Sequence, residues 1–145
     1  MIAVDTNILV YAHRAECELH GPAYSRVTQL AIGTRPWAIP VFCIAEFLRV
    51  VTHRSGFSPP SSLPQAMGFI RSLAASPSCR VALPDGDFLH HLELALRESD
   101  AKGNLVHDAQ IAALCHQHGI ETILTNDRDF NRFPDLTISR LGAGG

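Results

Sequence analysis

Apolar residues along the chain fall into two alternating patterns. The first is short and unbroken. Ile2-Ala3-Val4 ends abruptly on Asp5, Trp37 to Pro40 closes on proline, and Arg80 to Leu83, Glu121 to Leu124 and Leu136 to Ser139 follow in order. Runs of this kind suit strands, and the most apolar of them suit strands covered on both faces, as in a parallel sheet. The second pattern is longer and helical. Inside Val41 to His53, the residues Ile44, Phe47, Leu48 and Val51 follow i, i+3, i+4, i+7 and define a core stripe. Phe88, Leu89, Leu92 and Leu96 share one face of a helix over Gly86 to Ser99. Ile111, Leu114 and Cys115 pack a helix that begins at Asn104 or Leu105 and runs through His118. Further helices are expected over Thr6 to His13, from Pro22 to about Ile32, and over Pro64 to Ala75.

Punctuation supports these boundaries. Pro22 suits the first turn of a helix, and Gly33 and Gly119 stand where helices should stop. Arg14 to Gly21 and Ser55 to Leu63 are polar loops, and Asp100 to Gly103 and Thr125 to Asp129 are turns. Strands alternating with helices predict an α/β fold, a three-layer α/β/α sandwich around a central, mostly parallel sheet of about five strands. The expectation is one domain over residues 1–141 and a frayed tail over 142–145.

Composition changes this picture little. With 145 residues, 46% hydrophobic and 18% charged, the chain can bury a full core. No apolar run reaches the roughly 18 residues of a membrane span. The N-terminus lacks the basic-then-apolar pattern of a leader, so a cytoplasmic protein is expected. Cys17, Cys43, Cys79 and Cys115 are at least 26 residues apart, which suits reduced thiols rather than a zinc knuckle or a disulfide scaffold.

Net charge is −2, unlike a typical nucleic-acid binder, but its distribution is uneven. Residues 1–83 carry seven Arg against four acids, and residues 84–145 five basic groups against ten acids. Setting aside Asp5, Glu46, Asp108 and Asp127 leaves a balance of +2, and eleven of the twelve basic residues are Arg, the better partner for phosphate. This permits an RNA substrate without arguing for one.

Those four acids are the candidate chemistry. Asp5 and Asp127 follow buried strands directly or within a short turn. Asp108 lies in the first turns of a helix, where the dipole favours an anion. Glu46 sits in the first half of a helix entered from the strand that ends at Pro40. Parallel strands bring all these ends to one rim, where ligands bind in open α/β sheets. Four carboxylates there repel unless a cation holds them. Oxygen donors suit Mg²⁺ or Mn²⁺, and such an ion can acidify water against a phosphodiester. Thr6, Asn7, Thr125 and Asn126 would orient ligands or waters around it.

Each acid alone has a plainer explanation. Asp5 can cap the next helix, Glu46 can pair with an Arg on a solvated face, Asp108 can be a favourable first-turn charge, and Asp127 and Asp129 are ordinary turn residues. Arg49, His53 and Arg54 share or follow the Glu46 helix and suit RNA phosphates or pairing with nearby acids about equally. His107 adjoins Asp108 but points about 100° away around the helix. His90-His91 and His116-Gln117-His118 lack zinc-ligand spacing and read as surface groups. Trp37 reads as core.

Val4-Asp5-Thr6-Asn7, Ala45-Glu46-Phe47, Leu105-Val106-His107-Asp108-Ala109 and Leu124-Thr125-Asn126-Asp127-Arg128-Asp129-Phe130 together resemble the PIN domain. More narrowly they resemble its VapC-type toxin ribonucleases, over Met1 to about Leu141. The resemblance implies a Mg²⁺-dependent endoribonuclease cutting structured RNA such as transfer or ribosomal RNA. It also implies a homodimer and an antitoxin partner. Asp5, Glu46, Asp108 and Asp127 would be its acidic quartet, with Asp5 and Asp108 the direct ligands. Thr125 matches the hydroxyl that helps hold the metal's water shell, and Asp129 would supplement or replace Asp127.

Two readings from other classes stand beside it. A phosphotransferase with Asp5 as nucleophile needs a second acid where Asn7 stands and a lysine, and Lys102 is the one lysine of the chain. A catalytically silent RNA-binding or antitoxin-binding module would keep the acidic pocket without turnover.

Overall fold

The structure, a computed structural model, describes residues 1–142. Residues 143–145, most of the expected tail, lie outside the described residues, and Gly142 closes a turn at φ +77°. Five strands form one sheet: β1 (Ile2–Val4), β2 (Trp37–Pro40), β3 (Cys79–Ala82), β4 (Thr122–Leu124) and β5 (Thr137–Ser139). Their order is β3-β2-β1-β4-β5, and every pairing is parallel. The central strands bury almost every residue, whereas edge strand β3 leaves Arg80 and Val81 exposed. Continuous apolar runs and central position go together, because a central parallel strand meets helices on both faces.

Six helices cover the sheet: α1 (Thr6–His13), α2 (His20–Ile32), α3 (Val41–Thr52), α4 (Leu63–Ala74), α5 (Phe88–Ser99) and α6 (Leu105–Gln117). The chain steps from β1 to β2 to β3 in one direction, then crosses back to β4. Right-handed crossovers therefore put α1 to α4 on one face and α5 and α6 on the other. Packing agrees: α1 lies against α2 and α3, α3 against α4, and α5 against α6. The expected core stripe of α3 buries Phe47 and Val51 fully, with Ile44 and Leu48 half-buried against the core. Trp37 is fully buried and donates its indole N–H to Ser78 Oγ at 3.1 Å. Cys43, Cys79 and Cys115 are buried and all four thiols are free.

Several local expectations differ. Leu89, expected on one face with Phe88, Leu92 and Leu96, is exposed while those three pack against the core. Helix α2 starts at His20, two residues before Pro22, because Pro22 lies within the first turn, where a missing N–H costs no helical bond. Gly33 ends α2 in extended backbone at φ −76°, which does not itself require glycine, although a Cβ there would meet Gln29 O at 3.0 Å, whereas Gly119 after α6 needs its positive φ of +67°. The turn after β4 winds into a short 3₁₀ helix, Arg128–Arg132, which anchors Phe130 in the core.

Candidate active site

The sheet order makes β1 and β4 neighbours at the point where the chain reverses direction across the sheet. Val4 stands opposite Leu124, so the next residues, Asp5 and Thr125, meet at the carboxyl edge. The amide of Asp5 donates to Leu124 O at 3.0 Å. Asp5 caps α1, accepting from the Thr6 amide at 2.7 Å, and it also accepts from Thr125 Oγ1 at 2.7 Å and Cys43 Sγ at 3.6 Å. Burial pushes the Asp5 carboxyl above its ordinary pKa, and those three hydrogen bonds pull it the other way.

Helix α6 presents Asp108 in its first turn, as expected. Asp127 reaches the same place from the loop after β4, its amide donating to Thr125 Oγ1 at 3.0 Å and its Oδ1 accepting from the Asp129 amide at 2.9 Å. Asp108, Asp127 and Asp129 each offer one oxygen, and these oxygens all lie within 4.8 Å of one another. Burial, then the charges of Asp127, Asp5 and Asp129, push the Asp108 carboxyl up to about 7. Where the sequence left Asp127 and Asp129 as alternatives, the fold brings both to Asp108.

A cleft of about 330 Å³ opens here, gathering Asp5, Glu46, Asp108 and Asp127 with Thr6, Asn7 and His107 beside them. Glu46 comes from α3 and is gripped by Arg49, whose Nε donates at 3.1 Å and whose Nη2 pairs with the other carboxylate oxygen. That guanidinium holds the Glu46 carboxyl below its ordinary range, with burial opposing it. Arg49 is thus tied to Glu46. His53 does not share Glu46's side: α3 ends at Thr52, His53 is extended, and its Nδ1 accepts from the Ser55 amide at 3.1 Å. Arg54 is exposed in the following turn. Asn126 is absent from the cleft wall, and its carbonyl accepts from Arg140 at 3.3 Å.

His107 is the site residue the sequence reading set aside. It lines the cleft, its Nε2 is buried without a hydrogen-bond partner, and its proximity helps lower the Glu46 pKa. A helical wheel of α6 alone could not reveal this, because the position faces inward only when α3 packs against α6.

The donor set fits a divalent cation. The gathered side-chain donors are hard oxygens. Thr6 Oγ1 and Asn7 Oδ1, also in the cleft wall, are buried and unpartnered by protein atoms, and the raised Asp108 registers repulsion that a cation would relieve. Among the described residues no helix is long and apolar enough to cross a membrane.

A PIN-domain family model matches residues 2–136, and the chain belongs to the PIN-domain family. Ribonuclease VapC43 of Mycobacterium tuberculosis is 35% identical over 136 residues, spanning 94% of this chain and 92% of that protein. Ribonuclease VapC31 of the same organism is 32% identical, spanning 94% of this chain and 95% of that one. Within the family, then, the chain stands with the VapC-type ribonucleases. Its fold matches VapBC2 from Rickettsia felis, solved bound to a promoter DNA fragment, at TM-score 0.70 and 21% identity over 97% of this chain and 99% of that one. It also matches M. tuberculosis VapC20, a toxin that cleaves the sarcin–ricin loop, at TM-score 0.65 and 20% identity over 90% of this chain and 93% of that one.

Proposed function

We propose that this chain is a Mg²⁺-dependent endoribonuclease, the toxin of a toxin–antitoxin pair, hydrolysing phosphodiester bonds in structured RNA such as transfer or ribosomal RNA. The observation that carries the reading is the convergence of Asp108, Asp127 and Asp129 beside buried Asp5 at the sheet's switch point. Asp5, Asp108 and Asp127 would hold the ion, with Asp129 supplementing them. When bound, Mg²⁺, or Mn²⁺ in its place, supplies the positive charge that acidifies water and polarises a phosphodiester. Thr125 fixes the rotamer of Asp5, and Thr6 and Asn7 orient water at the cleft wall. Glu46, released from Arg49 as RNA enters, accepts a proton from the attacking water, while Arg49, His53 and Arg54 meet RNA phosphates. Water's oxygen bonds to phosphorus, the bond to the leaving oxygen breaks, and that oxygen takes a proton from solvent, to which Glu46 returns the one it accepted.

Solved structures that share this fold include VapBC-1 from nontypeable Haemophilus influenzae and FitAB bound to a DNA fragment, which supports an antitoxin partner, one that blocks the cleft with a basic side chain among the carboxylates. Action in the cytoplasm as a homodimer completes the reading. A phosphotransferase is disfavoured because both Asp5 oxygens already accept hydrogen bonds and Asn7 stands where its acid should be.

The test is cleavage of total RNA by purified protein with Mg²⁺, Mn²⁺ or EDTA, beside Asp5→Asn and Asp108→Asn. Discrete fragments that need metal and both aspartates are expected. No cleavage by folded, antitoxin-free protein across a wide metal range would favour the silent module, and cleavage unchanged by Asp5→Asn would indicate a contaminant.

A further inference from the structure

Away from the acidic cleft, α5 and α6 bring together two histidines that the sequence separates by 25 positions. His91 Nδ1 and His116 Nδ1 lie 2.9 Å apart. His116 is exposed and His91 half-buried. A small cavity of about 40 Å³ beside them is lined by both rings and by Glu98 and Asp135, so carboxylates neighbour the pair. As isolated surface groups neither histidine suggested chemistry. The packing of the two helices is what pairs them.

We propose that His91 and His116 form a transition-metal site that prefers Cu²⁺ and Ni²⁺ to Zn²⁺. Were the two nitrogens to keep their 2.9 Å separation as they turn toward a shared ion about 2.05 Å from each, they would subtend about 90° at it. That is the angle between adjacent ligands in tetragonal Cu²⁺ and octahedral or square-planar Ni²⁺ sites. A tetrahedral Zn²⁺ site opens the angle to about 109° and separates its nitrogens by roughly 3.3 Å. Imidazole suits all three ions, and intrinsic affinity peaks at Cu²⁺. The rings now face one another through a hydrogen bond, and a turn about the soft χ2 torsion aims both lone pairs at one ion. Water fills the remaining positions, and Glu98 and Asp135 add negative charge nearby. The site is chemically distinct from the oxygen-rich cleft. An ion here staples α5 to α6, the helix whose opposite end carries Asp108.

The test uses tag-free protein carrying Cys17→Ser, which removes the one thiol that is not buried among the described residues. Excess Mg²⁺ is included to compete for the acidic cleft. Cu²⁺, Ni²⁺ and Zn²⁺ are titrated by calorimetry, and the Cu²⁺ complex is examined by electron paramagnetic resonance. One ion per chain is expected, tightest for Cu²⁺ and tighter for Ni²⁺ than for Zn²⁺, with splitting from two imidazole nitrogens. His91→Ala and His116→Ala should each weaken binding by about tenfold or more, the lower bound for losing even an outer partner of a ligand. His90→Ala, one position away, should leave it unchanged. Thermal melts confirm that each variant is folded, and His116→Gln replaces any that is not. Affinity unaffected by both His91 and His116 substitutions, a spectrum without nitrogen coupling, or Zn²⁺ binding more tightly than Ni²⁺ would overturn the proposal.

Discussion

Thr125 donates its hydroxyl hydrogen to Oδ2 of Asp5 at 2.7 Å while accepting the amide hydrogen of Asp127 at 3.0 Å. Asn7 Nδ2 also donates to Thr125 Oγ1, at 3.4 Å. One fully buried hydroxyl therefore ties two acids that are far apart in sequence. Thr125→Val keeps the shape and removes the link. It should cost about 1.5–3 kcal/mol of stability, the worth of a hydrogen bond to a charged group. It should also weaken Mg²⁺ binding, while Thr125→Ser restores both. Urea unfolding and Mg²⁺ titration report the two effects. A valine variant with native Mg²⁺ affinity would show that Asp5 keeps its position unaided.

The raised Asp108 gives metal-free protein a definite pH signature. Folded Asp108 keeps its proton up to about 7, whereas the ordinary value is 3.8. Between those limits the folded state binds more protons than the unfolded one, so stability falls as pH rises. Below them both states are protonated. Above them both are ionised and the penalty is complete. Asp5, also raised, adds in the same direction. In EDTA the melting temperature of Asp108→Asn should therefore gain on wild type steadily from pH 3.8 to about 7, and saturating Mg²⁺ should erase that gain. A gap between the two proteins that does not vary with pH would mean that Asp108 is not perturbed.

Arg49 pairs with Glu46 at a site open to solvent, its side chain 64% exposed, so the pair should add little to stability. Its consequence lies in RNA binding. If Arg49 leaves Glu46 for a phosphate, Arg49→Ala should keep the native melting temperature and weaken RNA binding. The slope of log affinity against log salt should become shallower by about one phosphate contact. An unchanged slope would leave Arg49 as Glu46's partner alone.

How far the site could be read in advance depended on whether a residue's role is set locally. Asp5 and Asp108 were legible because each closes or opens an element whose boundary the apolar pattern marks. Parallel strand order then required their common rim. The Ser62 and Gln65 capping box was present in the sequence and fixes the start of α4 at Leu63, one residue before the helix expected from Pro64. The 3₁₀ turn was not legible, because Phe130 draws Asp129 toward Asp108 only after the core exists to receive it. His107 and the His91–His116 pair escaped for a related reason. Each acquires its surroundings from a second helix, and no spacing within one helix carries that information.

His107 offers the sharpest separation of stability from function. Its buried, unpartnered Nε2 carries a desolvation cost that protein contacts do not offset, and it lies in the cleft beside Glu46 and Asp108. Leaving a polar atom unsatisfied costs about 1–3 kcal/mol, so His107→Phe, similar in shape and apolar, should stabilise metal-free protein by about 1 kcal/mol or more. The same change removes a polar group from the cleft wall, so RNA cleavage in Mg²⁺ should slow even as the fold becomes more robust. A group kept at the expense of stability is the expected mark of a functional site. Urea unfolding in EDTA and single-turnover RNA cleavage in Mg²⁺ should move in opposite directions. If both fall together, His107 is a packing residue whose ring the core requires, and its place in the cleft is incidental.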